Sequence, residues 1–404
     1  MDGQDLQLQS AVVAAATTRD VTIAAGALGA VPGVLARALP AERYVIVADA
    51  NTWTAAGARL SHLLSASGVP TASPIELAGS PRVKASAETS RQLANRLRDD
   101  KLLPIAVGSG VVNDLVKHAA EEAATPYLCV PTAASMDGYA ASGAALRDGG
   151  FKRTLACAAP VAIVADLDVI AGAPPAMGAW GYGDLVGKLV AGVDWIVADA
   201  LGEEAVNAAP FAMVQDNLAN WLGDPAGVRA GDRAALDGLV RGLVMSGLAM
   251  QAHGNSRPAS GSDHQFAHLW EMEEIKVDGA PVSHGACVGV GCLSMLAAYE
   301  WLQRQDIAAV DPARAAAQTP SPDVLKAEVQ AAFPLSFMAA NATVETLAKA
   351  ASPARVAERL ATLKARWPEI LTHLRTRLPA AATVRQWLDT VGGPSNAAAL
   401  GITA

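Results

Sequence analysis

Leu103–Ala123 reads LPIAVGSGVVNDLVKHAAEEA, and its pattern decides the class of fold. A short apolar run, LPIAV, leads into Gly108, Ser109 and Gly110. The VVNDLVKHAAEEA that follows has a helical pattern, so a strand turns directly into a helix. Small residues at such a turn let backbone N–H groups approach a pyrophosphate, whose charge the helix N-terminus stabilises. A tight turn that needs glycine for its own geometry would look the same.

Outward from this stretch, short runs rich in Val and Ile alternate with helical patterns up to about residue 173. The expected strands are Val21–Ala25, Tyr44–Ala48, Pro74–Leu77, Leu103–Val107, Tyr127–Val130 and Val161–Ala165; Ala55–Ser67 and Lys84–Asp99 read as connecting helices. Such alternation requires a mainly parallel sheet flanked by helices. With 404 residues the chain is too long for one compact core, and two domains are expected. The boundary falls in AGAPPAMGAWGYGD, Ala171–Asp184, where Pro and Gly punctuate the chain and strand-like runs largely stop. Beyond it the expected helices are Asp184–Ala200, Phe211–Leu222, Arg233–Gln251, Asp263–Glu274 and His284–Gln303, with more to Leu388.

Several residues in the first half can carry chemistry. Asp49 ends the strand YVIVAD and can accept hydrogen bonds from an adenosine ribose, although acids also end strands for solubility. The acid precedes the glycine turn, the reverse of the plain dinucleotide fingerprint. The loop Pro131–Ser142, PTAASMDGYAAS, follows the strand YLCV, at the end of a strand where open α/β sheets bind ligands. Asp137 in this loop is either a turn former or a group reaching a substrate hydroxyl.

In the second half, Asn255–Gly285 reads NSRPASGSDHQFAHLWEMEEIKVDGAPVSHG and holds three of the seven histidines, His264, His268 and His284. On the expected helix His264 and His268 stand four residues apart and share a face. Such a pair suits a metal ion, and histidine pairs without one also occur in cores and on surfaces. Asp184 opens a helix in this reading, either to complement its dipole or to supply the anionic ligand that two imidazoles need.

Composition narrows the function classes. A net charge of −8 argues against nucleic acid or an anionic membrane as the main partner, while a local cluster of donors can still hold a phosphate. No uninterrupted run of about eighteen apolar residues is present, so no transmembrane helix is expected, and MDGQDLQLQS lacks the basic and apolar regions of a secretory signal. Cys129, Cys157, Cys287 and Cys292 form no C-x-x-C pair, which fits reduced thiols in a cytoplasmic protein.

Three motifs stand in order, GSGVVNDLVK, VPTAASMDGYAAS and SRPASGSDHQFAH followed by SHG, with GYGD between the last two. Together they resemble the sn-glycerol-1-phosphate dehydrogenases, a branch of the superfamily of iron-containing alcohol dehydrogenases, glycerol dehydrogenases and dehydroquinate synthases. The resemblance covers most of residues 20–300. It implies an α/β fold of dehydroquinate-synthase type: an N-terminal Rossmann-like nucleotide-binding domain, residues 1–173, then an all-helical metal-binding domain, residues 174–404. It also implies that Asp184, His264 and His284 bind the metal while His268 faces the substrate, whereas spacing alone pairs His264 with His268. One carboxylate and two imidazoles leave a position open for substrate oxygen. Asp49, Gly108, Ser109, Gly110, Val111, Val112, Thr132, Ala133, Ala134 and Ser135 would line the dinucleotide, and Asp137 would meet the substrate. Where family members commonly carry serine four residues after that aspartate, this chain has Ala141, with Ser142 beside it.

The implied reaction is reversible NAD(P)H-linked reduction of dihydroxyacetone phosphate to sn-glycerol 1-phosphate, with a divalent metal as Lewis acid at the C2 oxygen. Asp137, His268 and Asp184 are the expected catalytic residues, His268 or water passing the proton. Asp49 favours NAD(H) over NADP(H), and the ligand set accepts zinc first, or nickel or iron. Arg257, just before the ligand helix, is the candidate for the substrate phosphate, or else an arginine that fixes its loop. The expected partner is a small phosphorylated triol or ketone, and a homo-oligomer is expected. The alternatives are a dehydrogenase of an unphosphorylated polyol such as glycerol, a dehydroquinate-synthase-like cyclase, or a nucleotide-binding protein that has lost turnover.

Overall fold

The computed structural model describes residues 3–79, 83–148, 151–333 and 336–402. Among them, the strands before Leu167 are β1 (Asp20–Ala24), β2 (Tyr44–Ala48), β3 (Ile75–Glu76), β4 (Leu103–Gly108), β5 (Leu128–Pro131), β6 (Ala144–Asp148), β7 (Phe151–Leu155) and β8 (Ala162–Asp166). Six of them make one parallel sheet in the order β1-β8-β5-β4-β2-β3. Ile46, Ile105, Leu128 and Ala162 lie in register across four strands, and all are buried. Helices cover both faces of such a sheet, which is why β2, β4 and β8 are continuous apolar runs rather than alternating ones.

The expected strands are recovered with ends moved by a residue or so. β3 is shorter than expected, since Pro74 has no N–H to give to a ladder. The helix expected from Ala55 starts at Ala50, because Asp49 and Thr52 form a reciprocal cap, and it passes through a π turn at Trp53–Gly57. The helix expected from Lys84 starts at Ala87, behind Ser86 as its cap. The antiparallel pairing of β6 with β7 has no counterpart among the expected strands.

The largest correction concerns Asp184, which does not open a helix. The helix is Pro175–Ala200, so the Gly-rich segment read as a boundary is its first turns. Proline is tolerated at a helix start. The segment expected as one helix over Phe211–Leu222 is two, Ala208–Gln215 and Leu218–Trp221. The second half is not purely helical either. Lys276–Val277 and Ala280–Pro281 form a small hairpin, turned by Asp278 and Gly279 at φ 51° and 78°.

By its contacts the chain forms two compact units. The larger is Met1–Trp195, Val206–Ala298 and Arg377–Ala404, and it contains the sheet and every candidate site residue. The smaller is Ile196–Ala205 with Tyr299–Thr376, a helical unit in which Glu203 receives both Arg355 and Arg359. Among the described residues one helix, His284–Leu302, is long and apolar enough to cross a membrane by length and composition. It buries 56% of its apolar window inside the protein, as a core helix does.

Candidate active site and metal centre

Asp49, the Gly108–Gly110 turn and Thr132–Ser135 follow β2, β4 and β5, which are neighbours in the sheet. They therefore share its carboxyl-terminal edge. Thr132 N–H donates to the Gly108 carbonyl at 3.1 Å and joins two of these loops. At the start of the Gly110–Glu122 helix the first N–H groups have no intrahelical acceptor and remain available to an anion. The glycines also serve packing: a Cβ on Gly108 would strike Val112, and one on Gly110 would lie 2.8 Å from Met136 Sδ. Asp49 Oδ1 accepts from Thr52 N–H at 2.8 Å, so half of its carboxylate is committed to its own helix cap.

Lys117 fixes the loop that follows. Its buried ammonium donates to the carbonyls of Gly138 (2.7 Å), Ala141 (2.7 Å) and Gly143 (3.0 Å). Ala141 is thus held through its backbone, and Ser142 beside it is exposed.

The Pro175–Ala200 helix gathers the rest, and its glycines are the reason. Added Cβ atoms would collide with the Ala134 carbonyl at Gly181, with the Gly285 carbonyl at Gly183, and with Asp263 and Val288 at Gly187. The helix therefore lies directly against the Thr132–Ser135 loop, the His284–Leu302 helix and the Ser262–Met272 helix. Asp184 is surrounded by these contacts and is fully buried.

One ligand atom each from Asp184, His264 and His284 falls within 4.8 Å of the others. His264 Nδ1 lies 2.8 Å from Asp263 Oδ2, and His284 Nδ1 lies 3.0 Å from Glu271 Oε1. A carboxylate behind each Nδ1 accepts a hydrogen bond from the ring N–H there and leaves the Nε2 lone pair to face a metal. This donor set, one carboxylate with two imidazoles so oriented, fits a divalent ion. His268 is half exposed, with its Nδ1 3.6 Å from Glu271 Oε2 and its ring centroid 6.2 Å from that of His264. It lies beside the cluster rather than in it.

Asp137 and Asp184 are joined directly. Asp137 N–H donates to Asp184 Oδ2 at 2.8 Å, and Lys188 Nζ lies 2.6 Å from Asp184 Oδ1 and 2.8 Å from Asp137 Oδ2. Burial opposes the charge on Asp184, but Lys188, His284 and His264 hold its carboxyl low, at about 2. Burial likewise disfavours the Lys188 ammonium, and Asp137 and Asp184 more than reverse this and raise it above the usual lysine value. Arg257 is half-buried in the segment before the ligand helix, with its N–H bonded to Asn255 Oδ1 at 2.8 Å.

Lys188, Asp263, Glu271 and Lys117 were not among the residues singled out from sequence. Two of them had a signal. Lys188 follows Asp184 by one helical turn in an otherwise apolar stretch, and Glu271 follows His268 by three residues.

The sequence model of a family described as iron-containing alcohol dehydrogenase matches residues 22–174. A glycerol-1-phosphate dehydrogenase [NAD(P)+] from Methanosarcina barkeri is 31% identical over 278 residues, covering 69% of this chain and 76% of that protein. The chain belongs to the glycerol-1-phosphate dehydrogenase family. Another member, from Bacillus velezensis, is 36% identical over 264 residues, 64% of this chain, and the chain spans 66% of that relative's length. The fold of a glycerol dehydrogenase from Schizosaccharomyces pombe matches at a TM-score of 0.59 with 18% identity, over 90% of this chain and 95% of that one.

Proposed function

We propose that this protein interconverts dihydroxyacetone phosphate and sn-glycerol 1-phosphate by NAD(P)H-linked hydride transfer at a divalent metal. The observation that carries the reading is the convergence of Asp184, His264 and His284 within 4.8 Å, with Asp137 bonded to Asp184, in a chain of this family. Residues 1–173 would hold the dinucleotide along Asp49, Gly108–Val112 and Thr132–Ser135, and residues 174–404 would supply the metal ligands. When bound, the metal supplies Lewis acidity at the C2 oxygen and the nicotinamide supplies the hydride.

The chain's own groups do the rest. Asp137 orients a substrate hydroxyl, and His268, at the exposed side of the cluster, passes the proton to or from water. Arg257 takes the phosphate. Asp49 favours NAD(H) with NADP(H) also accepted, because one carboxylate oxygen is committed to its helix cap and the other would repel a 2′-phosphate. Zinc suits the donor set, as do nickel and iron. The four buried cysteines, none in a disulfide, agree with a reducing cytoplasm, and we take the working form to be a homo-oligomer.

The test is NADH and NADPH oxidation with dihydroxyacetone phosphate or dihydroxyacetone, in metal-replete protein and after chelation, together with elemental analysis. Metal-dependent turnover is expected, with the phosphorylated ketone preferred. Equal turnover of the free ketone would move the reading to an unphosphorylated polyol, and silence in every arm would overturn it. Arg257→Ala should cost activity only on the phosphorylated substrate; equal loss on both places phosphate recognition elsewhere.

A further inference from the structure

We infer that Lys188 is a positioning residue that ties the substrate-facing carboxylate of Asp137 to the metal-facing carboxylate of Asp184. This rests on the reading above, in which Asp137 meets substrate and Asp184 a metal. Lys188 stands one turn after Asp184 on the Pro175–Ala200 helix and is fully buried. Its ammonium is shared between Asp184 Oδ1 at 2.6 Å and Asp137 Oδ2 at 2.8 Å. An ammonium has three donors and no acceptor, so one atom can hold both carboxylates at once.

The need for such a tie follows from where Asp137 sits. It opens a single short turn, Asp137–Tyr139, in a loop with no ladder to brace it. Its backbone N–H is fixed to Asp184 Oδ2, and Lys117 grips the carbonyls that follow. Neither contact sets the plane of the carboxylate. Lys188 does, by engaging Oδ2 at 2.8 Å. Asp184 has its own anchor in the Asp137 N–H, so it keeps its place without the lysine. The arrangement thus registers a substrate hydroxyl against the metal through two carboxylates on one cation. Its positive charge also offsets the repulsion between two carboxylates held close together.

A double-mutant cycle over Lys188→Met and Asp137→Asn separates positioning from plain structural support. Each single variant should lower kcat/KM for dihydroxyacetone phosphate by about a hundred-fold, the effect of roughly an ångström of misplacement. The double variant should be no worse than Asp137→Asn alone. Binding of NADH, followed by its fluorescence, should be unchanged in Lys188→Met. Effects that multiply, an unchanged kcat/KM in Lys188→Met, or loss of NADH binding together with turnover would each overturn the inference. Should Lys188→Met fail to fold, the same cycle with Lys188→Gln decides, since the amide keeps a donor for one carboxylate. The cycle is run on whichever of dihydroxyacetone phosphate or dihydroxyacetone the wild-type enzyme reduces. Failure of the phosphorylated substrate therefore leaves the coupling readable, and wild-type protein that reduces neither overturns both readings.

Discussion

Asp263 Oδ2 lies 2.8 Å from His264 Nδ1, a buried carboxylate set directly behind a buried imidazole. It fixes which nitrogen carries the proton and turns Nε2 toward Asp184 Oδ1, 3.9 Å away. Replacing Asp263 with Asn keeps the shape and removes the charge. Metal affinity should fall about ten- to a hundred-fold, as measured by competition with a chromogenic chelator. An unchanged affinity would mean that the neighbouring backbone alone orients the ring.

Gly183 faces the Gly285 carbonyl where the Pro175–Ala200 and His284–Leu302 helices touch. Alanine there forces the helices apart, at a cost of about 1–3 kcal/mol in urea unfolding, and weakens metal binding because His284 moves with its helix. Gly29→Ala is the control, since an added Cβ at Gly29 meets nothing within 4 Å. Equal stability of the two variants would show that the helices can part freely.

Lys117→Met should remove the donor shared by the carbonyls of Ala141 and Gly143, and leave that of Gly138 with only the longer bond from Asn113 Nδ2 at 3.4 Å. A buried group stripped of its partner costs about 1–3 kcal/mol, so a loss of at least about 2 kcal/mol is expected. Denaturant unfolding reads it, and a variant within about 0.5 kcal/mol of wild type would show that other donors replace the lysine.

Burial raises the thiols, Cys129 from 9.0 to about 12 and Cys157 from 9.0 to about 11, while Cys292 is pushed well above its usual value. The folded pKa lies above the unfolded one, so the unfolded chain loses these protons first. This contribution to stability is whole below pH 9 and is lost as pH rises toward 11–12. The urea midpoint should therefore fall between pH 8 and pH 10, less so in Cys129→Ala. Ellman's reagent at pH 8 should react slowly with native protein and with all four cysteines after unfolding. Rapid native reaction would contradict the burial.

Much of this protein was legible before folding. Apolar runs such as YVIVA and LPIAV, buried on both faces, announce a parallel sheet whatever surrounds them, and the order of GSG, TAAS and the histidine string carried the family. The details that failed were those set by local caps and distant neighbours. Asp49 starts its helix early because Thr52 completes a reciprocal cap, a spacing visible in the sequence but outweighed by the apolar pattern further on.

The chemistry of the residue types was determined by sequence alone: a carboxylate, two imidazoles and a glycine turn that suits phosphate. Their meeting was decided by tertiary structure. Gly181, Gly183 and Gly187 look like punctuation along the chain, because glycine is unfavourable inside a helix. In the fold they are the points where one helix touches the Ala134 carbonyl, the Gly285 carbonyl and Asp263. A missing Cβ has no local signature that separates a turn from a close helix contact. Only the partner on the other side makes the difference, and here that partner brings His264 and His284 to Asp184.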